Sequence, residues 1–203
     1  MINTIMFDFG DVFINLDKKG ALEKAKSVLE VDPLEHELIS VNTKYEVGGL
    51  SSDAFINYYC NRFKHLSKPQ IVDLWNSIIV DFPMYRFEFI KDLATSGNYK
   101  LILLSNTNAI HIAYVKHIFA QFESFRNCFD YFYLSHEIKL RKPNLDIYQY
   151  VIQHSKTNPK NCLFIDDTKE NTDAAMRLGF HTWNIDETKQ DVTELFDIKR
   201  DLF

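Results

Sequence analysis

A chain of 203 residues, 46% hydrophobic and 25% charged, has the profile of a soluble globular protein and suits one α/β domain carrying a modest insertion. Its formal net charge of -5 offers no electrostatic basis for binding nucleic acid or an anionic membrane, so any phosphate ligand has to be met by a locally placed cation. The three cysteines, Cys60, Cys128 and Cys162, are widely spaced without a C-x-x-C, which excludes a disulfide framework or cysteine-rich zinc site and fits a reducing cytoplasm.

The N-terminus lacks a basic start followed by an apolar core, so no secretory signal is expected, and no apolar run approaches the roughly 18 residues of a membrane span. The first predicted strand covers residues 4–7 and runs into FDFGDV. Residues 17–82 then show no strand pattern and four helix-like pieces. Asp32-Pro33-Leu34-Glu35 reads as an N-cap, a proline at the first helical position and a capping-box acid. Gly48-Gly49 breaks the block, Ser51 or Ser52 caps the next helix, and Ser67-Lys68-Pro69-Gln70 repeats the box spacing. The helical spacing of Phe55, Tyr58, Tyr59 and Phe63 assigns them to the core of this block ahead of substrate contact.

Strands and helices alternate beyond it. A helix over 85–96 stops at Gly97, and strand 100–104 leads through LLSNT into a helix over 108–121. Strand 131–134 precedes a helix over 145–155, and strand 162–165 runs through IDDTKEN into a helix over 168–178 that stops at Gly179. A weaker strand follows at 181–185. The alternation predicts a three-layer α/β fold, a parallel sheet covered on both faces. The all-helical block after the first strand reads as a small inserted domain, giving a core of 1–16 and 86–203 and a cap of 17–85.

The chemistry-bearing residues sit where these strands end, the edge at which open parallel sheets bind ligands. Asp8 closes the first strand, Ser105-Asn106-Thr107 the second and Asp166-Asp167 the fourth, while Lys142 follows the third after a short turn. Each has an ordinary structural use: an acid after a strand caps a helix, Ser-Asn-Thr makes turns, and a lysine beside Pro143 is a solvated residue. Together they form a compatible set. Several acids at one rim repel each other, and a Mg²⁺ ion, which favours carboxylates, a carbonyl and a phosphate oxygen, relieves that conflict.

FDFGDV, LLSNT, RKP and FIDDTKEN, in this order, resemble the four motifs of the haloacid dehalogenase-like (HAD) superfamily, and the helical block resembles its cap. The closest similarity is to the branch of small sugar-phosphate phosphatases and the phosphatase half of soluble epoxide hydrolases. The resemblance implies a cytoplasmic hydrolase acting on a small phosphorylated substrate with Mg²⁺. It implies Asp8 as nucleophile and metal ligand, with the Gly10 carbonyl and Asp167 as further ligands. Ser105 and Asn106 would hold the phosphoryl group, Lys142 would balance the nucleophile's charge, and Asp166 would orient Lys142, with Asn171 fixing that loop. One departure stands out: the family's phosphatases carry an acid two residues after the nucleophile, where this chain has Gly10. Asp11, one residue on, is either a loop-fixing acceptor or a displaced acid. A metal-free haloacid dehalogenase and a non-catalytic binding module are the competing functions.

Overall fold

The computed structural model describes residues 1–203. Seven strands form in chain order: β1 (Thr4–Phe7), β2 (Asn15–Leu16), β3 (Ile79–Asp81), β4 (Lys100–Ser105), β5 (Tyr131–Leu134), β6 (Cys162–Asp166) and β7 (His181–Asn184). Five of them make one parallel sheet in the order β5-β4-β1-β6-β7. The chain leaves β1 for one side of the sheet and later returns to the other, so the topological switch point lies at the end of β1.

The alternation of side chains sorts the sheet's residues into two cores. Ile5 and Phe7 of β1, Leu101 and Leu103 of β4, and Leu163 and Ile165 of β6 join the larger cluster. Met6, Ile102, Leu104 and Phe164 face the other way into the smaller one. Period-two burial on both faces is what a parallel sheet between helical layers requires.

Four helices follow β1: α1 (Lys18–Leu29), α2 (His36–Glu46), α3 (Ser52–Arg62) and α4 (Lys68–Asn76). They form the inserted cap, with its own core of Leu38, Tyr45, Phe55, Tyr59, Phe63 and Ile71. Ser51 caps α3 through the Ala54 N–H, and the Gln70 side chain accepts from the Ser67 N–H at the start of α4. The proposed helix start at Asp32 is corrected: Asp32 accepts from the Leu34 N–H in a local turn, and α2 begins only at His36. The same short acid serves either arrangement. The absence of strands from residues 17–82 is corrected as well, because β3 returns to pair antiparallel with β2. This ribbon is the neck where the chain leaves the sheet domain and re-enters it.

The remaining helices are α5 (Met84–Ser96), α6 (Ala109–Ile118), α7 (Phe122–Arg126), α8 (Ser135–Ile138), α9 (Leu145–Ser155), α10 (Lys169–Arg177) and α11 (Leu195–Ile198). Gly97 and Gly179 take φ of 65° and 91° beyond α5 and α10, the left-handed stop their positions required. Asn108 caps α6 by accepting from the His111 N–H. No helix is long and apolar enough to cross a membrane.

Phe125 on α7 is fully buried, with ring centroids of Phe82, Phe129, Phe13 and Phe9 at 4.9, 5.0, 5.1 and 5.5 Å. These rings join α7 to the loop after β1 and to the neck strand's exit. Phe125→Ala is expected to cost about 3–5 kcal/mol in equilibrium denaturant unfolding.

Candidate active site

The loop after β1 places Asp8 at the centre of the rim. Its backbone N–H still bonds to the Ile165 carbonyl, so the side chain stands at the open end of the sheet between β4 and β6. Lys142 reaches it from the β5–α9 connection: Nζ lies 2.8 Å from Asp8 Oδ1 and 2.6 Å from Asp166 Oδ2. The lysine is 1% exposed and Asp166 is sealed completely. An unpaired charge there would be prohibitively costly, so the ammonium depends on its carboxylate partners, Asp166 above all.

Asp166 has no bonding capacity left. Its Oδ1 accepts from the Thr168 N–H and Asn171 Nδ2, and its Oδ2 from Lys142 and Asn171 Nδ2. Asp8 and Asp167 differ: Asp8 commits Oδ1 to Lys142, and Asp167 commits Oδ2 to Lys18 at 2.6 Å, each leaving one oxygen unengaged. Oxygens of Asp8, Asp166 and Asp167 lie within 4.8 Å of one another. Such a hard oxygen set suits Mg²⁺, and the hydrogen-bond inventory favours Asp8 and Asp167 over Asp166 as its ligands.

Charge at the rim is not in balance. Burial raises the Asp8 carboxyl above the usual carboxylate range, Lys142 pulls it back, and Asp166 and Asp167 push it further up. Burial works against the charged form of Lys142, but Asp166 and Asp8 outweigh it and hold the ammonium protonated.

Asn106 occupies itself with Lys142. Its Nδ2 donates to the Lys142 carbonyl and its Oδ1 accepts from the Lys142 N–H, both at 2.9 Å. This narrows the expectation for Asn106: its Oδ1 is taken and one Nδ2 hydrogen is spent, so a phosphoryl group would meet the second Nδ2 hydrogen or the backbone N–H. Ser105 is buried beside it and lines a cavity of about 130 Å³ that also touches Gly10 and Glu46.

Asp11 is a loop fixture. It adopts φ of 54°, is 6% exposed, accepts from the Leu16 N–H through Oδ1 and pairs through Oδ2 with Lys18 at 2.7 Å. Asp tolerates this left-handed backbone through such local bonds. Neither oxygen is free to serve as an acid.

Two residues that sequence reasoning left without a role stand close to the site. Lys18, the first residue of α1, links Asp11 to Asp167, and no local pattern marks it. Arg141 pairs its Nη2 with Glu46 of the cap at 3.1 Å. His111 spans the cap–core junction. Its Nε2 lies 3.0 Å from the Trp75 carbonyl and its Nδ1 3.1 Å from Asn108 Nδ2, and burial lowers its pKa to about 4. It is neutral near pH 7.

A parallel α/β domain with a helical cap over its rim, and a buried lysine between rim carboxylates, is the architecture of a capped α/β hydrolase. The model of the haloacid dehalogenase-like hydrolases matches residues 2–179, and the chain belongs to that family. It is 26% identical to a D-ribitol-5-phosphate phosphatase of Bacteroides thetaiotaomicron over 90% of this chain and 91% of that protein. A HAD family enzyme of the same organism, solved with magnesium and inorganic phosphate, superposes with a TM-score of 0.85 at 31% identity, over 97% of this chain and 100% of that one. A HAD-like hydrolase of Porphyromonas gingivalis gives 0.84 at 29% identity, covering 100% and 98%. An L-2-haloacid dehalogenase reaches 0.62 at 15% identity, a likeness of fold alone.

A carboxyl whose folded-state pKa is raised keeps its proton in the folded protein where the unfolded chain has lost it. Stability therefore falls as pH climbs from the unfolded value of about 3.9 through the raised one. Without divalent ions, the melting temperature is expected to drop between pH 5 and pH 8, and in Asp8→Asn to drop less, by about 2–4 °C. Thermal unfolding in EDTA across that range checks it.

Proposed function

We propose that this chain hydrolyses a phosphate monoester of a small metabolite, of the sugar-phosphate kind, through an aspartyl-phosphate on Asp8 with Mg²⁺ as cofactor. The observation that carries this reading is the buried Lys142 held between Asp8 and Asp166, with one oxygen each of Asp8 and Asp167 left unengaged. The likeness to a sugar-alcohol phosphatase and to a magnesium- and phosphate-bound enzyme supports it.

In this reading Asp8 and Asp167, with the Gly10 carbonyl, hold Mg²⁺, which supplies neutralisation of carboxylate and phosphate charge. One Asp8 oxygen attacks phosphorus while the other remains the metal ligand, the ester oxygen departs with its electron pair and takes a proton from solvent, and water later cleaves the acyl phosphate to return the carboxylate and release inorganic phosphate. Lys142 fixes the Asp8 carboxylate and offsets its charge. Ser105 and Asn106 steady the phosphoryl oxygens, and Asp166 aims Lys142 with help from Asn171. The core is assigned to 1–16 and 86–203 and the cap to 17–85, the cap excluding water and choosing the substrate. The reaction takes place in the cytoplasm.

Position 10 supplies no acid to the leaving alcohol, and Asp11 is already engaged. General acid help is typically worth about 10² to 10⁴ in rate, so its loss slows poor leaving groups without abolishing the reaction.

In a screen of small phosphate monoesters, turnover is expected with Mg²⁺ and not with EDTA, and Asp8→Asn should lose at least about a thousandfold in kcat. Equal rates from both proteins would exclude Asp8 as the nucleophile. For Gly10→Asp, a Cβ at residue 10 would meet Leu16 Cδ1 at 2.8 Å, a flexible end that swings aside. Its rate on alkyl phosphates is expected to rise about tenfold or more, with little change on aryl phosphates; parallel behaviour on both classes would show that no acid is missing.

A further inference from the structure

The cavity at Ser105 and Gly10 does not end at the rim. A second cavity of about 270 Å³ lies between the cap helices and the core, and the two share Glu46, Ile78 and His111. Ile78 offers no polar group, and both ring nitrogens of His111 are engaged by Asn108 and Trp75. Glu46 alone at this junction has bonding capacity to spare. Its Oε2 faces Arg141, while Oε1 meets no donor of the protein.

Glu46 is also held firmly. It is the last residue of α2, its carbonyl accepts from Ser135 Oγ at 2.7 Å, and that hydroxyl bonds onward to Thr107 beside the phosphoryl-side residues. Arg141 lines neither cavity, so the enclosed space is presented with the carboxylate of the pair and not the guanidinium. Lys18 also borders the larger cavity, but its ammonium is held by the buried Asp11 at 2.7 Å whether or not it also keeps Asp167. The other walls are mostly apolar, Leu22, Leu29 and Leu74 among them, and the polar groups they add, on Asn42, Tyr59 and Trp75, are neutral, so no further cation meets a second negative charge.

We propose that Glu46 determines specificity here: its carboxylate accepts hydrogen bonds from the uncharged hydroxylated chain of the phosphate ester and turns away esters carrying a second negative charge. The inference rests on the reading of the Asp8 rim as the phosphoryl site. A carboxylate partly withdrawn from water is a strong acceptor for hydroxyl groups. A like charge brought against it is disfavoured both by repulsion and by the loss of hydration.

The test uses matched ligands that differ only at the far end of the chain: the polyol phosphates of glycerol, erythritol and ribitol, and the corresponding aldonate phosphates. Binding is measured by calorimetry in Mg²⁺ buffer with Asp8→Asn protein, which leaves the ligands intact, and with the same protein carrying Glu46→Gln or Glu46→Asp. The parent is expected to prefer the polyol over its aldonate by about a hundredfold at the chain length that reaches Glu46. Glu46→Gln should reduce the preference to about tenfold or less, chiefly by tighter aldonate binding, whereas Glu46→Asp, which keeps the charge, should retain most of it. The same ratio in the parent and Glu46→Gln at every chain length overturns the proposal, as does an absence of saturable binding by either series. Turnover of the polyol phosphates by the wild-type protein is read separately: none, with the Glu46-dependent preference intact, sinks the phosphatase reading and leaves this one standing.

Discussion

One buried ammonium organises this molecule. Lys142 is wholly enclosed, and a charge so placed survives only because Asp8 and Asp166 reach it at 2.8 and 2.6 Å. Those two acids leave from the ends of β1 and β6, adjacent strands of the central sheet, and the lysine arrives from beyond β5. Sheet order is therefore what makes the charges neighbours. Asn106 adds a third attachment, its amide clasping both backbone groups of Lys142. The lysine is positioned from its backbone as well as from its tip.

Much of this was legible in the linear sequence, because a parallel sheet buried on both faces leaves a strong local mark. TIMF, LILL and CLFI are short apolar runs bounded by polar residues, and the alternate assignment of Phe7 and Met6 to different cores follows from strand geometry. Strand ends ran one residue past the apolar stretch where Ser105 and Asp166 still pair in the ladder. The β2–β3 ribbon was not legible: it comprises two and three residues, and each strand finds its partner only across the whole helical insertion. Asp32 misled because an acid before a proline suits a helix cap and a tight turn equally.

The site divides in the same way. Asp8, Ser105, Asp166 and Asp167 were marked by their place at strand ends, and the structure brings them to one rim with Lys142. The residues sequence reasoning passed over, Lys18, Arg141 and Glu46, act between cap and core, where meaning depends on docking and not on local pattern. Cap and core meet through a few such polar clips, Tyr45 receiving the Ile110 N–H, His111 on the Trp75 carbonyl and Arg141 on Glu46, around the single apolar intrusion of Ile110 into the cap's core.

Two ammonium groups touch the acid cluster, and they differ in kind. Lys142 has no route to water. Lys18, with half its side chain exposed, can exchange Asp167 for solvent far more readily than Lys142 can exchange its partners. A newcomer of higher charge at Asp167 thus needs to evict only the replaceable tenant, leaving the permanent one and the order it imposes undisturbed.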